Sequence, residues 1–391
     1  CKQKTKGKIN MSEQIEDLSS YGQENTIDVS LTDIPVPEVT ITEEVNKVED
    51  KFDAAYKFAF VGAGQGGGRL AETFYKFGYR RVCAINTAPQ DLNTIDVPHK
   101  LCIGEGGAGK NMGLAREKYT ERKEDAYDLF EHAFGSEFDK IFVCAGAGGG
   151  SGAGTVIPIV DTAHDLQKRQ GTMTKKVGVI LALPKISEGK KVNANAFHTL
   201  KKVFDYVDAG IVSPLILVDN EKMNKLYPNL AVAPFWDTAN RSIAGLFHLF
   251  NMTASKDSSY SSFDPQDYKQ VLESGFILYG ASPVPNWKDS PAFNKHVRDQ
   301  VKGNLLSDGA DLNTGNQAGV LMIAGNEILE KVPQKNLDSA FEQFTRILKT
   351  GSTVYRGIYS GDRPNLTVYT VIGGLARPHK KIEELKKLGD A

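Results

Sequence analysis

Between residues 57 and 220, short apolar runs alternate with longer stretches of helical spacing: KFAFVGAG, RRVCAINT, KIFVCAG, KVGVILALP and SPLILVDN. Strands this apolar, joined through helices, specify a parallel, doubly wound sheet covered on both faces. In such sheets ligands bind outside the carboxyl ends of the strands, and this is where the chain concentrates its glycine. GAGQGGG follows the first strand at 62–68, GGAGKN occupies 106–111, and GAGGGSGAG at 146–154 holds six glycines in nine positions.

Glycine at that density weakens any regular element, so it must serve a close approach. Successive backbone N–H groups in such a turn form an anion-binding nest, and the helix that follows adds its positive end. Without Cβ atoms, phosphate oxygens reach the backbone. Three such loops at the ends of strands of one sheet form a cradle for a ligand with several phosphates. No GxxxxGK[ST] P-loop occurs here. The GxGxxG at 62–67 is shared with NAD-binding folds, whose ribose is held by an acid about 20 residues further on. At that point the chain reads CAINTAPQD, with Asn86 at the strand end and no acid before Asp91. A dinucleotide site is weakened by this but stays open as an alternative.

The expected architecture is a parallel doubly wound α/β domain over 56–234, a central helix over 235–252 and a smaller α+β domain with a mixed sheet over 253–376. GVLMIAGNE, STVYRGIYS and NLTVYTVIGG are the strand-like runs of that second domain. Within the first, a loop at 62–68 precedes a helix, one charged helix covers 114–134, and a helix from Thr155 carries Pro158 in its first turn, where proline is tolerated. Residues 377–391 (ARPHKKIEELKKLGDA from 376) are a basic amphipathic tail, expected to be solvated surface or a partner site. Residues 1–55 read as an acidic, disordered arm, with eleven acids and one lysine over 11–50. The chain begins on Cys1, and residues 1–10 are expected to be extraneous, with Met11 the natural start; a mature lipoprotein terminus is the alternative.

At 391 residues, 40% hydrophobic and 24% charged with a net charge of −1, the chain has no charge surplus with which to grip nucleic acid directly. Cys1, Cys83, Cys102 and Cys144 lack metal-ligand spacing, which suits a reduced cytoplasmic chain. Residues 141–160 carry no charge over a length that reaches across a bilayer, with small residues at GxxxG spacing. The glycines nonetheless cluster as a loop would, and no second span exists, so no membrane role is expected.

GAGGGSGAG at 146–154 resembles the GGGTGTG signature of the tubulin/FtsZ GTPases. The resemblance runs in order through GAGQGGGR (62–69), AINTAPQDL (84–92), GGAGKN (106–111), LPKISEGKK (183–191) and AFHTLKKVFDYVDAGIVSPLILVDNEKM (196–223), and covers roughly residues 57–376. INTAPQDLN, LILVDNEK, ANRSIA and FDPQDYKQV are most like the plasmid and phage branch, the TubZ-like proteins. The resemblance implies a GTP/GDP site. Gly64, Gln65, Gly66 and Gly67 would hold the α- and β-phosphates, with Gly148, Gly149, Gly150, Ser151 and Gly152 on their other side. Ala108, Gly109 and Asn111 would lie at the γ-phosphate, Asn86 at the nucleoside, Glu188 at the ribose and Asn240 at the guanine edge, where an amide offers a donor and an acceptor together. Asn240 as a polar residue on a helix face is the plainer alternative. Two threonines of the signature are Ser151 and Ala153 here, and an arginine of many FtsZ chains is Val192; these departures put contacts at those positions in question.

The resemblance further implies that Asp264 and Asp267, in FDPQDYKQV, enter the pocket of the adjacent subunit and orient water for attack on the γ-phosphate, with Mg2+ neutralising charge. From spacing alone, an N-cap before Pro265 is the favoured reading of Asp264, and both roles can hold at once. A site shared head to tail builds an open filament. The implied function is a GTP-driven filament that positions plasmid or phage DNA through a DNA-binding adaptor. A division-type FtsZ is the alternative; no long linker with an apolar docking peptide follows the second domain, which leans away from it. A non-polymerising nucleotide- or NAD-binding protein is the third reading.

Overall fold

The computed structural model describes residues 49–170, 173–229, 231–361 and 364–390. Nearly all of the expected acidic arm, including residues 1–10, lies outside them. β1 (Phe58–Ala63) leads into α1 (Gly64–Lys76), β2 (Val82–Asn86) into α2 (Pro89–Asn93), and β3 (His99–Cys102) into α3 (Met112–Glu121) and α4 (Lys123–Phe134). Then follow β4 (Lys140–Gly146), α5 (Ser151–Gln170), β5 (Val177–Leu183), α6 (Lys190–Asp208), β6 (Val212–Asp219) and α7 (Asn220–Leu226). The long α8 (Val232–Thr253) and short α9 (Pro265–Leu272) precede β7 (Phe276–Val284), α10 (Ser290–Gly303), β8 (Gln317–Ala324), α11 (Asn326–Leu329) and α12 (Gln334–Ile347). β9 (Thr353–Ser360), β10 (Leu366–Leu375) and α13 (His379–Asp390) complete the chain.

All ten strands share one sheet, in the order β3-β2-β1-β4-β5-β6-β7-β10-β8-β9. From β3 to β6 the pairing is parallel throughout. β7 joins β6 in parallel through Leu215 and Ile216 opposite Phe276 and Ile277. β10 then runs antiparallel between β7 and β8, with β9 parallel to β8. The mixed section is thus a continuation of the parallel sheet.

Each face of the sheet carries its own core. Phe130, Phe134, Val156, Leu200 and Phe204 cover one side from α4, α5 and α6. Phe74, Phe247, Phe250 and Tyr268 cover the other from α1, α8 and α9. Phe60 of β1 stacks on Phe74 at 3.9 Å and meets the Phe247 ring at 5.9 Å. Each such pair adds about 0.5–1.5 kcal/mol beyond the area it buries, so α8 is fastened to the strand that feeds the first glycine segment.

Three local expectations differ. α1 starts at Gly64 and α5 at Ser151, so Gly66–Gly68 and Gly152–Gly154 are helical instead of looped, and Pro158 lies inside its helix. Packing explains this: a Cβ on Gly67 would come 2.0 Å from the Cys144 carbonyl oxygen, and one on Gly154 2.4 Å from that of Met112. Only glycine lets these helices lie so close to their neighbours. The charged stretch 114–134 divides into α3 and α4 at Arg122, whose backbone leaves the helical region. Finally, α13 is a docked helix. Leu385 and Lys381 are buried, Arg377 pairs with Asp205 of α6, and a Cβ on Gly389 would press on Ala194.

Candidate functional site

The strand order reverses direction between β1 and β4, the switch point at which doubly wound sheets bind ligands. A cavity of about 330 Å³ opens there, beyond the carboxyl ends of both strands. Its floor is backbone: Ala63, Gln65 and Gly66 after β1, and Gly146, Gly148, Gly149, Gly150, Ser151 and Gly152 after β4. Two helices begin on this floor. α1 has no side-chain cap at Ala63, and neither α1 nor α5 has an acid in its first turn. The first turn of a helix holds N–H groups without intrahelical partners, and its dipole favours negative charge. Two uncapped N-termini converging on a glycine floor form a binding surface for a polyanion.

The glycines divide by task. Gly67 and Gly152 permit backbone contact: a Cβ on Gly152 would meet the Ala63 carbonyl oxygen at 2.9 Å. Gly64, at φ +67, makes the turn from β1 into α1. By contrast, Gly146 and Gly149 have nothing within 4 Å of an added Cβ and face the cavity.

The opposite wall is built from side chains. Glu188, Asn220, Trp236 and Asn240 line it with Pro184 and Ala182. Trp236 and Asn240 stand one helical turn apart on α8, so they share a face. Trp236 is 37% exposed, a large aromatic side chain beside an amide. Lys185 Nζ sits 3.4 Å from the Phe235 ring centroid and 5.6 Å from that of Trp236, a cation–π contact that holds this wall. A planar heterocycle seated here would stack on the indole and read the amide with its edge.

Of the residues expected from the sequence, Gln65, Gly66, Gly148–Gly152, Glu188 and Asn240 line this cavity. Gly64 and Gly67 lie beneath it as packing positions. Asn86 is buried; its amide donates to Asp91 Oδ2 at 3.1 Å and its carbonyl oxygen accepts from Ala88 N. Ala108, Gly109 and Asn111 stand at the rim. A Cβ on Gly150 would lie 2.9 Å from Ala108 Cβ and Lys110 N, and Asn195 Nδ2 donates to both Lys110 O and Gly148 O. The Asn111 side chain caps α3, accepting from Gly113 and Leu114 N–H.

The sequence does not single out Arg69, Asn220, Trp236 or the bridging Asn195. Asp91 reads there only as a displaced acid, yet it accepts from both Gln65 Nε2 and Asn86 Nδ2. Trp236 was signalled by its spacing, one turn ahead of Asn240; Asn195 had no local signal, because its partners lie 47 and 85 residues away.

Asp264 and Asp267 do not line the cavity. They form a reciprocal capping box at the start of α9: Asp264 Oδ1 accepts from Asp267 N at 2.9 Å, and Asp267 Oδ2 from Asp264 N at 3.2 Å. Burial raises the Asp267 carboxyl above its usual value, against the backbone N–H of Asp264 and with the Asp264 charge. Among the described residues no three acids, histidines or cysteines gather as a metal-ligand cluster, and no helix is long and apolar enough to cross a membrane.

The GTPase-domain profile of the Tubulin/FtsZ family matches residues 57–228. Over that span the chain is similar to the GTPase domain of the tubulin/FtsZ family. Among curated relatives, Tubulin-like protein TubZ of Bacillus cereus is 24% identical over 255 residues, covering 60% of this chain and 56% of TubZ. Cell division protein FtsZ 1 of Pyrococcus furiosus is 28% identical over 256 residues, covering 63% and 62%. The chain thus spans little more than half the length of these relatives. The fold superposes on TubZ of Bacillus thuringiensis serovar israelensis, solved as a GTPγS-form protofilament, with a TM-score of 0.74 at 16% identity, covering 86% of this chain and 92% of that one.

The departures from the tubulin/FtsZ signature have local partners. Ser151 Oγ is 2.6 Å from Thr87 Oγ1, so its hydroxyl ties α5 to the segment after β2. Ala153 is buried, and Val192 packs beside Gly148, its Cγ1 2.3 Å from the place a Cβ would take there.

Proposed function

We propose that this chain is a GTPase that assembles head to tail and hydrolyses GTP where two copies meet. One observation carries the reading. The cavity's own carboxylates are engaged within it, Asp91 by Gln65 and Asn86, and Glu188 by Lys185 N, while the acids at the start of α9, engaged by their own capping box, lie off the cavity of their own chain. The family match supports the nucleotide, and the TubZ relative solved as a protofilament supports the assembly.

In this reading the guanine stacks on Trp236 and presents its edge to Asn240, and Glu188 faces the ribose. The phosphates rest on the N–H groups opening α1 and α5. Mg2+ would be held chiefly by the phosphate oxygens, as suits an ion usually bound by few carboxylates, and would supply neutralisation of their charge. Asp264 or Asp267 of the next copy orients a water in line with the γ-phosphate; phosphoryl transfer needs positioning more than covalent chemistry. The 106–111 rim, pressed on Gly150 and bridged by Asn195 to Gly148, transmits loss of the γ-phosphate to the contact. A heterologous contact that does not close gives a filament. We assign that filament to the cytoplasm, positioning plasmid or phage DNA through an adaptor.

GTP turnover per molecule is expected to rise steeply with protein concentration, and Asp264→Asn and Asp267→Asn to reduce it about 100-fold while filaments form and persist. Equal turnover per molecule in dilute and concentrated samples overturns the shared site. For the cellular role, a fluorescent fusion should track plasmid or phage DNA; a ring at the division site would reassign it to the FtsZ type.

A further inference from the structure

The acid at position 264 is flanked by two backbone units that are both held by tyrosine hydroxyls from distant parts of the chain. On one side, Tyr359 of β9 accepts a hydrogen bond from Phe263 N at 2.7 Å, and its hydroxyl lies 3.3 Å from Phe263 O. On the other, the Tyr56 hydroxyl donates to Pro265 O at 2.6 Å. These contacts cross 96 and 209 residues of sequence. We propose that Tyr56 and Tyr359 are positioning residues that clamp the backbone on either side of Asp264, so that the acid pair is presented in fixed geometry to a second copy of this chain. The proposal rests on the shared-site reading above and adds to it the device that sets the acids.

Each tyrosine is itself anchored. Tyr56 lies on a strap that precedes β1 and is stitched to the end of α8: Asn251, fully buried, accepts from Tyr56 N and donates to Tyr56 O, both at 3.0 Å. Upstream, Asp50 accepts from Arg80 N at 2.8 Å and pairs with Arg81 at 3.3 Å, and Phe52 packs edge-on against Tyr79 and His248. Burial, with the charges of Asp139, Asp264 and Glu273, pushes the Tyr56 hydroxyl up to about 12, so it remains a donor at any working pH. Tyr359 is 7% exposed, and its strand also receives the approach to the acids, with Ile358 N donating to Ser261 O at 2.9 Å.

Such a clamp matters because the Asp264 carboxylate itself accepts within a capping box, a contact three residues long, so its aim follows the backbone on either side. A general base displaced by about 1 Å loses of the order of 100-fold in rate. The two anchors come from different ends of the chain, the strap from before β1 and β9 from the mixed section, so the acid loop is fixed only when both are docked.

The test uses Tyr56→Phe, Tyr359→Phe and the double variant in the full chain, with Tyr119→Phe, whose hydroxyl meets Thr162 far from α9, as control. We expect GTP turnover per assembled subunit to fall about 10- to 100-fold, with unchanged monomer affinity for GTP and unchanged polymer yield with a slowly hydrolysed analogue. Amide hydrogen exchange should quicken at 263–268 and stay at the parent level in the cavity segments 62–68 and 146–154. Wild-type turnover and exchange in the double variant overturn the clamp. Loss of turnover together with nucleotide affinity or polymer yield also overturns it, since that marks a general structural role. If Asp264→Asn and Asp267→Asn turn over normally while the tyrosine variants still quicken exchange, the assignment of the acids is what fails, and the catalytic consequence of the clamp fails with it.

Discussion

The cavity at the switch point and the acid loop at the start of α9 solve the same problem, holding groups still for a reaction, by opposite means. The cavity floor is made of backbone, and its precision comes from glycines that let α1 and α5 seat directly on β1 and β4. The acid loop is made of side chains, and its geometry is set by hydroxyl and amide contacts from segments far away in sequence. A backbone-built site tolerates no added atoms beneath it, whereas a side-chain-built site tolerates substitution but loses alignment by degrees.

The strongest expression of that contrast is at Gly67. Its missing Cβ would lie 2.0 Å from the Cys144 carbonyl oxygen and 3.0 Å from Ala145 Cα, backbone atoms in the middle of the sheet that have nowhere to move. Gly67→Ala should exceed the 1–3 kcal/mol usual for overpacking and abolish both the cooperative thermal transition and nucleotide binding. Gly149→Ala, with open space around the added methyl and no positive φ, should melt within about 1 kcal/mol of the parent while binding GTP more weakly. Scanning calorimetry and fluorescent-nucleotide titration of the two proteins check this. Equal melting of both would mean that the floor is not set by contact between α1 and β4.

The same contrast explains what the sequence made legible. Glycine at the ends of apolar runs is a local signal, and it located the sheet, the carboxyl ends of its strands and most of the cavity floor. What it did not tell was that Gly66–Gly68 and Gly152–Gly154 are helical, because a helix made of glycine has no propensity to announce itself and exists here through packing alone. Asn86 and Asn111 read in the sequence as ligand contacts; amides also satisfy turns and caps, and in this chain both do so. The continuity of the sheet across β6 and β7 rests on two register pairs between segments about 60 residues apart, and no pattern in either strand encodes it. The docking of α13 was hidden for a similar reason: Lys381, which reads as a solvated charge, is buried against Asp219 at 2.7 Å.

A second prediction addresses the connection between the two regions. Lys140 opens β4, whose far end reaches the cavity, and it is fully buried; Glu273 closes α9, whose start carries the acids. Their charges meet at 2.6 Å, with Ser213 O also accepting from Lys140. Burial draws the Lys140 ammonium down to about 8 against the pull of Glu273. Removing one partner of a buried pair costs about 3–5 kcal/mol. Here Lys140→Met should fall at the low end, because Glu273 retains Lys176 at 3.6 Å and some solvent contact. Lys140→Met with Glu273→Leu should recover most of the loss in urea denaturation. A double variant no more stable than the single would show that β4 and α9 are held together by packing instead of by this charge pair.

The smallest expected effect concerns the part of the cavity that is not backbone. Trp236 stands on α8 where the cavity is lined by side chains, 37% exposed beside Asn240, with Lys185 Nζ near its ring. Stacking of a nucleobase on an aromatic ring is worth about 1–3 kcal/mol, so Trp236→Ala should weaken GTP and GDP alike by about 10- to 100-fold. Trp236→Phe should recover much of that loss, because a smaller ring still offers a stacking plane. Quenching of the indole emission on nucleotide addition gives an independent reading in the parent chain, which has one other tryptophan, Trp287, with Asn336 of α12 bonded to its carbonyl oxygen. Since the phosphate floor is untouched, turnover at saturating GTP should be nearly unchanged. A fall in saturated turnover instead would mean that the base end also sets the γ-phosphate, and that the division between a backbone half and a side-chain half of this cavity is drawn in the wrong place.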